Sequence, residues 1–303
     1  MTANKPTITI INGFLGSGKT TLVNHYTTQI LKENEKIAFI VNEFGNFDID
    51  STLFDTNYEK RALLNGCICC SLQDDLVQTI LELVTHHDIT HIVIEASGVS
   101  SPIDVIEGCQ HPLIVDKVKA PLVIGVMDGP NYLNRHRYTD DTKRLMEQQM
   151  KASHSIIVNK VDQLSEPRLK ALKDELETDY PNIEKQFTSY SKADLSNMHP
   201  KDVNLNGIAH KHPSLSSMTY AFQGAINRQL FYNFILKLPD SILRVKGFLK
   251  FQDDPEHTII FQYANTLPDF EVIDYEGPLK IVIIGSDLDK ARIRNQLDML
   301  QFT

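Results

Sequence analysis

Apolar residues in the first two thirds of the chain come in short, nearly unbroken runs: TITIIN at 7–12, IAFIVN at 37–42, HIVIEA at 91–96, LVIGVMD at 122–128 and SIIVN at 155–159. Runs of this kind, rich in β-branched residues and apolar on consecutive positions, are what a strand buried on both faces requires. Between them lie stretches with helical spacing, at 20–31, 72–84, 141–150 and 167–180. Strand and helix alternate. The pattern predicts an α/β domain over residues 1–196, with a mostly parallel sheet and helices on both faces.

The pattern changes in residues 197–217 (NMHPKDVNLNGIAHKHPSLSS), where His, Asn, Lys, Gly, Pro and Ser displace the apolar runs. That composition predicts a linker. In residues 218–303 strands are predicted near 218–222, 245–251, 258–263, 270–274 and 279–285, with helices near 229–238 and 288–300. Strands joined by short turns indicate a small α+β domain whose helices cover one face of an antiparallel or mixed sheet.

The turn after the first strand carries chemistry. Gly13-Phe14-Leu15-Gly16-Ser17-Gly18-Lys19-Thr20 fits GxxxxGK[ST] in full, after a strand and before a helix. In such a loop the backbone amides turn inward around phosphates, the lysine reaches the β and γ phosphates, and the hydroxyl after it ligates Mg²⁺. The nucleotide-contacting set there is Gly13, Gly16, Ser17, Gly18, Lys19, Thr20 and Thr21.

Asn159-Lys160-Val161-Asp162 closes the run at 155–159, at the sheet edge where open α/β folds bind ligands. A carboxylate at Asp162 accepts from both N1–H and the 2-amino group of guanine, whereas adenine offers an acceptor and no amine there. Each charge-assisted bond is worth about 1.5–3 kcal/mol, so GTP is expected over ATP. Asn159, Lys160 and Asp162 form the base-reading set. The run at 91–96 delivers Glu95-Ala96-Ser97-Gly98, placing a carboxylate beside the Mg²⁺ position and the Gly98 amide toward a γ-phosphate.

Cys67, Cys69 and Cys70 stand within four residues after Gly66. On an extended backbone Cys67 and Cys69 share a face, and Cys70 joins them if the chain turns there. Soft thiolates favour Zn²⁺ or another late transition metal over Mg²⁺. Small buried hydrophobes or a redox pair are the other uses of such a cluster. Cys109 stands alone and is expected in a core.

Composition narrows the partners. With 39 acidic against 30 basic residues, the net charge of −9 gives no broad basic face for nucleic acid or an anionic membrane. No apolar run approaches the length of a spanning helix, and the opening MTANKPTITIING passes straight into a strand, so the cytoplasm is the expected compartment. Four cysteines, three of them clustered, argue for reduced thiols over a disulfide framework.

Together these pieces resemble the CobW family of GTP-dependent metal chaperones, the CobW, HypB and UreG type of P-loop GTPase. The resemblance is carried by GFLGSGKTTL at 13–22, VNEFG at 41–45, GCICC at 66–70, EASG at 95–98, NKVD at 159–162 and RVKGFL at 244–249. It implies slow, Mg²⁺-dependent hydrolysis of GTP, a Zn²⁺ site at the cysteines with Co²⁺ or Ni²⁺ as alternatives, and delivery of the metal to a client metalloprotein. Glu43 matches a family position that would add a carboxylate to the thiolates, and Asp50 one that would orient the attacking water, completing a catalytic set with Lys19 and Gly98. Two departures stand out: Asn46 replaces a position often acidic in the family, and the linker holds only His199, His210 and His212 instead of a histidine tract. A regulatory GTPase switch with a structural zinc site is the alternative reading, and a nucleotide-dependent kinase or ligase would leave NKVD and the cysteines unexplained. A nucleotide-dependent homodimer suits a fold of this class, although no residue specifies it.

Overall fold

The structure, a computed structural model, describes residues 5–30, 36–41, 58–62, 71–195, 198, 215–264 and 267–301. They form two units, one from the described residues of Met1–Cys109 and Lys117–Lys211, the other from Gln110–Asp116 with those of His212–Thr303.

The first unit runs β1 (Thr7–Asn12), α1 (Lys19–Ile30), β2 (Ile37–Val41), β3 (Tyr58–Ala62), α2 (Ser71–His86), β4 (His91–Glu95), α3 (Pro102–Cys109), β5 (Leu122–Asp128), α4 (Gly129–Leu133), α5 (Asp140–Lys151), β6 (Ser155–Asn159), α6 (Glu166–Asp179) and β7 (Glu184–Phe187). The strands pair in the order β3-β2-β4-β1-β5-β6-β7, and every pair is parallel. Consecutive apolar positions serve opposite cores. Ile157 of β6 packs with Ile11, Leu22, Val93 and Ile124, while its neighbours Ile156 and Val158 pack with Met150, Leu172 and Leu176. This double burial is why the inner strands read as continuous runs.

The expected α/β sheet is present, and it is wholly parallel. The sequence reading missed β3 and β7, which are its two edges. Their sequences, YEKRA and EKQF, carry no apolar run, since an edge strand is paired along one side only. The helix α3 opens on Pro102. Proline at the first helical position costs no hydrogen bond, so it opens the helix there. Cys109, at its end, is fully buried and burial pushes its thiol pKa up, in keeping with a packed core residue. Among the described residues no helix is long and apolar enough to cross a membrane.

The second unit contains β8 (Leu215–Ala221), α7 (Arg228–Leu236), β9 (Ile242–Phe251), β10 (Asp254–Ala264), β11 (Leu267–Ile273), β12 (Lys280–Ser286) and α8 (Lys290–Gln301). Its sheet is antiparallel, in the order β11-β10-β9-β12-β8. On one face, Phe231 and Phe234 of α7 and Ile293, Leu297 and Leu300 of α8 pack onto Val245, Phe251, Phe261, Ile281 and Ile283. The Phe231 ring lies 5.0 Å from that of Phe261. Alternate residues Lys246, Phe248 and Lys280 belong to the opposite face, and the segment 110–116 belongs with them: the His111 ring meets Phe248 edge-on at 6.1 Å and Asp116 pairs with Lys280.

His111 is therefore neutral in the fold. Burial first, then Lys246 and Lys280, hold its pKa down to about 3. The unfolded chain protonates this group near pH 6.5 and binds more protons than the fold below that value, so acidification between pH 6.5 and 3 destabilises the protein. At pH 5 the penalty is about 2 kcal/mol relative to pH 7. Urea unfolding of wild type and His111→Gln at pH 7 and pH 5 checks this: the wild type should lose about 2 kcal/mol more than the variant on acidification.

Candidate functional site

Parallel strands bring their carboxyl ends to one edge, and β1, β4, β5 and β6 end there in Asn12, Glu95, Asp128 and Asn159. From the adjacent strands β1 and β5 the chain departs in opposite directions, toward β2 and toward β6, which opens a crevice between their ends. The glycine loop fills that crevice. Gly13 and Gly18 have φ of 144° and 106°, and a Cβ would lie 2.2 Å from the Val126 carbonyl oxygen at Gly13 and 2.4 Å from Asn159 Nδ2 at Gly18. Only glycine allows this backbone and this approach.

Lys19 is buried at the amino end of α1, and its ammonium donates to the Phe14 carbonyl at 3.4 Å, a long bond across the loop that a phosphate oxygen would replace. Thr21, next on α1, is exposed. The Thr20 hydroxyl donates to Glu95 Oε1 at 2.7 Å, so the two oxygen groups named from the sequence as Mg²⁺ ligands meet in the fold. Hard oxygen donors side by side suit Mg²⁺, which retains several waters of its own.

Asn159 ties the end of β6 to this loop. Its Nδ2 donates to the Ser17 carbonyl at 2.9 Å, and its Oδ1 accepts from the Ser191 amide at 2.8 Å. Lys160 adopts a left-handed conformation, φ 62°, which costs about 1 kcal/mol. Its ammonium is held at 2.6 Å by both Asp128 and the Gly16 carbonyl. The turn leaves Asp162 exposed in a short 3-10 segment, Val161–Gln163.

Two participants escaped the sequence reading. Asp128 caps α4 through the Asn131 amide at 2.9 Å while pairing with Lys160. Ser191, fully buried, donates through its hydroxyl to the Gly18 carbonyl at 3.0 Å. It lies in a loop where Tyr190 and Ser191 both have positive φ, after the unrecognised β7. The polar stretch Thr188-Ser189-Tyr190-Ser191-Lys192 was the signal for it. Gly98 packs on the phosphate loop, where a Cβ would lie 2.8 Å from the Leu15 nitrogen.

Glu43, Asp50, Cys67, Cys69 and Cys70 lie outside the described residues, as do His199, His210 and His212. Among the described residues no group of three or more His, Cys, Asp or Glu forms a metal-ligand set.

Residues 7–187 match the family model for the CobW/HypB/UreG nucleotide-binding domain, and residues 215–301 match that for the cobalamin synthesis protein cobW C-terminal domain. The chain belongs to the CobW/HypB/UreG family. It is 28% identical to the zinc chaperone CobW of Pseudomonas aeruginosa, over 98% of this chain and 92% of that protein. It is 26% identical to the zinc chaperone YjiA of Escherichia coli, over 96% of this chain and 97% of that one. The crystal structure of the Zn(II)-bound YjiA GTPase from E. coli aligns with 98% of this chain and 99% of its own at 22% identity, with a TM-score of 0.47. Within the CobW/HypB/UreG family, a complete phosphate loop joined to the Asn159–Asp162 motif makes this chain a P-loop GTPase.

Replacing Asn159 by Ala leaves the buried Ser191 amide and the Ser17 carbonyl without their partner. The cost should be about 2–4 kcal/mol in stability. GTP and GDP affinity should fall together by about tenfold or more, read by titration with fluorescent nucleotides.

Proposed function

We propose that this chain is a GTP-hydrolysing metallochaperone that binds Zn²⁺ through Cys67, Cys69, Cys70 and Glu43, with Co²⁺ or Ni²⁺ as alternative cargo, and passes the ion to a client protein. One feature of the sheet supports the link between nucleotide and metal. β2 and β3 end at Val41 and Ala62, which are in register with each other, and Val41 is in register with Glu95. Glu43 follows the first of these ends closely in sequence and Cys67 the second, so both chain segments depart from the edge that holds the phosphate loop. The relatives named zinc chaperone agree with zinc as the cargo.

On this reading Lys19 and the loop amides hold the phosphates, and Thr20, with Glu95 through water, would hold Mg²⁺. Bound there, Mg²⁺ would neutralise charge developing on the phosphate oxygens. The Gly98 amide faces the γ-phosphate, Asp50 orients the attacking water, and Asp162 reads guanine. GTP orders the segments carrying Glu43 and Gly98, changes the geometry of the thiolates, and hydrolysis relaxes it. Linkage requires the metal to alter nucleotide affinity by the same factor as nucleotide alters metal affinity.

Two measurements bear on this. Asp162→Asn offers one donor and one acceptor, matching xanthine's 2-carbonyl and N1–H, so the variant should bind GTP at least about 100-fold more weakly and prefer the xanthine nucleotide. Zinc affinity, titrated against a competing chelator, should differ by about fivefold or more between the GTP-analogue and GDP forms. Equal zinc affinities, or zinc that no chelator extracts in either state, would instead indicate a regulatory switch with a structural zinc site.

A further inference from the structure

Gln149, on α5, is 1% exposed and joins the start of the phosphate loop to the Gly98–Ser100 segment. Its main-chain carbonyl accepts from Asn12 Nδ2 at 3.1 Å and from the Ser153 hydroxyl at 2.8 Å, and Asn12 is the residue before the phosphate loop. Its side-chain nitrogen donates to the carbonyls of Gly98 at 3.2 Å and Ser100 at 3.4 Å. Both partners are acceptors, so chemistry fixes which end of the amide faces them. The other end, Oε1, is buried with no hydrogen-bond partner among the described residues. Gln149 also lines a small apolar cavity with Phe14, Leu15, Val126 and Met146, where a methionine of the same length would fit. An orphaned buried carbonyl costs about 1–3 kcal/mol, so packing alone would favour the apolar residue.

We propose that Gln149 is a positioning residue for the GTPase reaction, clamping the Gly98 and Ser100 carbonyls so that this segment stays against Leu15 when a γ-phosphate arrives. The inference rests on the reading of Gly98 given above. GDP lacks the γ-phosphate and makes no demand on the segment. Without the clamp, the segment must be ordered at the moment GTP binds, and the transition state loses a preset amide.

The test uses the full chain carrying Gln149→Met, with Gln149→Asn, which is too short to reach both carbonyls, as a second variant should the first not fold. GDP affinity should stay within about twofold, while affinity for a non-hydrolysable GTP analogue and kcat each fall about tenfold, the effect of one to two neutral buried hydrogen bonds. Backbone amides of residues 97–101 should exchange with deuterium faster in the variant with GDP bound. Equal losses for GDP and the GTP analogue, or no loss for either, would overturn the proposal. Gly98→Ala, whose methyl would meet Leu15, is a separate arm. Selective loss of the GTP analogue there but not in Gln149→Met sinks the role of Gln149 alone. No selectivity in either variant sinks the reading of Gly98 with it.

Discussion

The Asn159 side chain donates to the phosphate loop at Ser17 and accepts from the loop behind it at Ser191, while Gly18 closes against the same amide. Because the amide sits at the end of a strand buried on both faces, its position is set by the sheet core, and it transmits that rigidity to two irregular loops. Lys160 and Asp128 add a second tie through the Gly16 carbonyl. The phosphate loop is thus braced from the strand that ends in Asn159, so the loop and the Asn159–Asp162 turn share one scaffold.

The two sheets have different relations to solvent and to function. The parallel sheet is covered on both faces and exposes its chemistry at an edge, where strand ends present Asn12, Glu95, Asp128 and Asn159. The antiparallel sheet carries two helices on one face, and on the other the segment 110–116, which follows α3 in the chain. In chain order that segment follows the Glu95–Gly98 turn after one short helix, α3.

Where the inner strands lie, and where the phosphate loop and the Asn159–Asp162 turn stand relative to them, was legible because each depends on residues close together in sequence. TITIIN before a glycine turn and SIIVN before Asn159 carry their own placement. The edge strands β3 and β7 were not legible, since pairing along one side places no demand for apolar runs on YEKRA or EKQF. Ser191 was hidden for a related reason: its role depends on two successive left-handed residues after β7, and those are selected by the contact with Asn159.

The sequence by itself determined the two folding patterns, the phosphate loop, the Asn159–Asp162 motif and the three clustered thiols, because all are local arrangements of side-chain type and spacing. Only the tertiary structure decided that Thr20 meets Glu95, that Lys160 pairs with Asp128, that Gln149 grips the Gly98 segment, and that His111 is neutral against Lys246 and Lys280. These partners are tens to more than a hundred residues apart in the chain. No local pattern encodes such a meeting; it arises when the packing of strands and helices excludes water and polar groups must find partners within the fold.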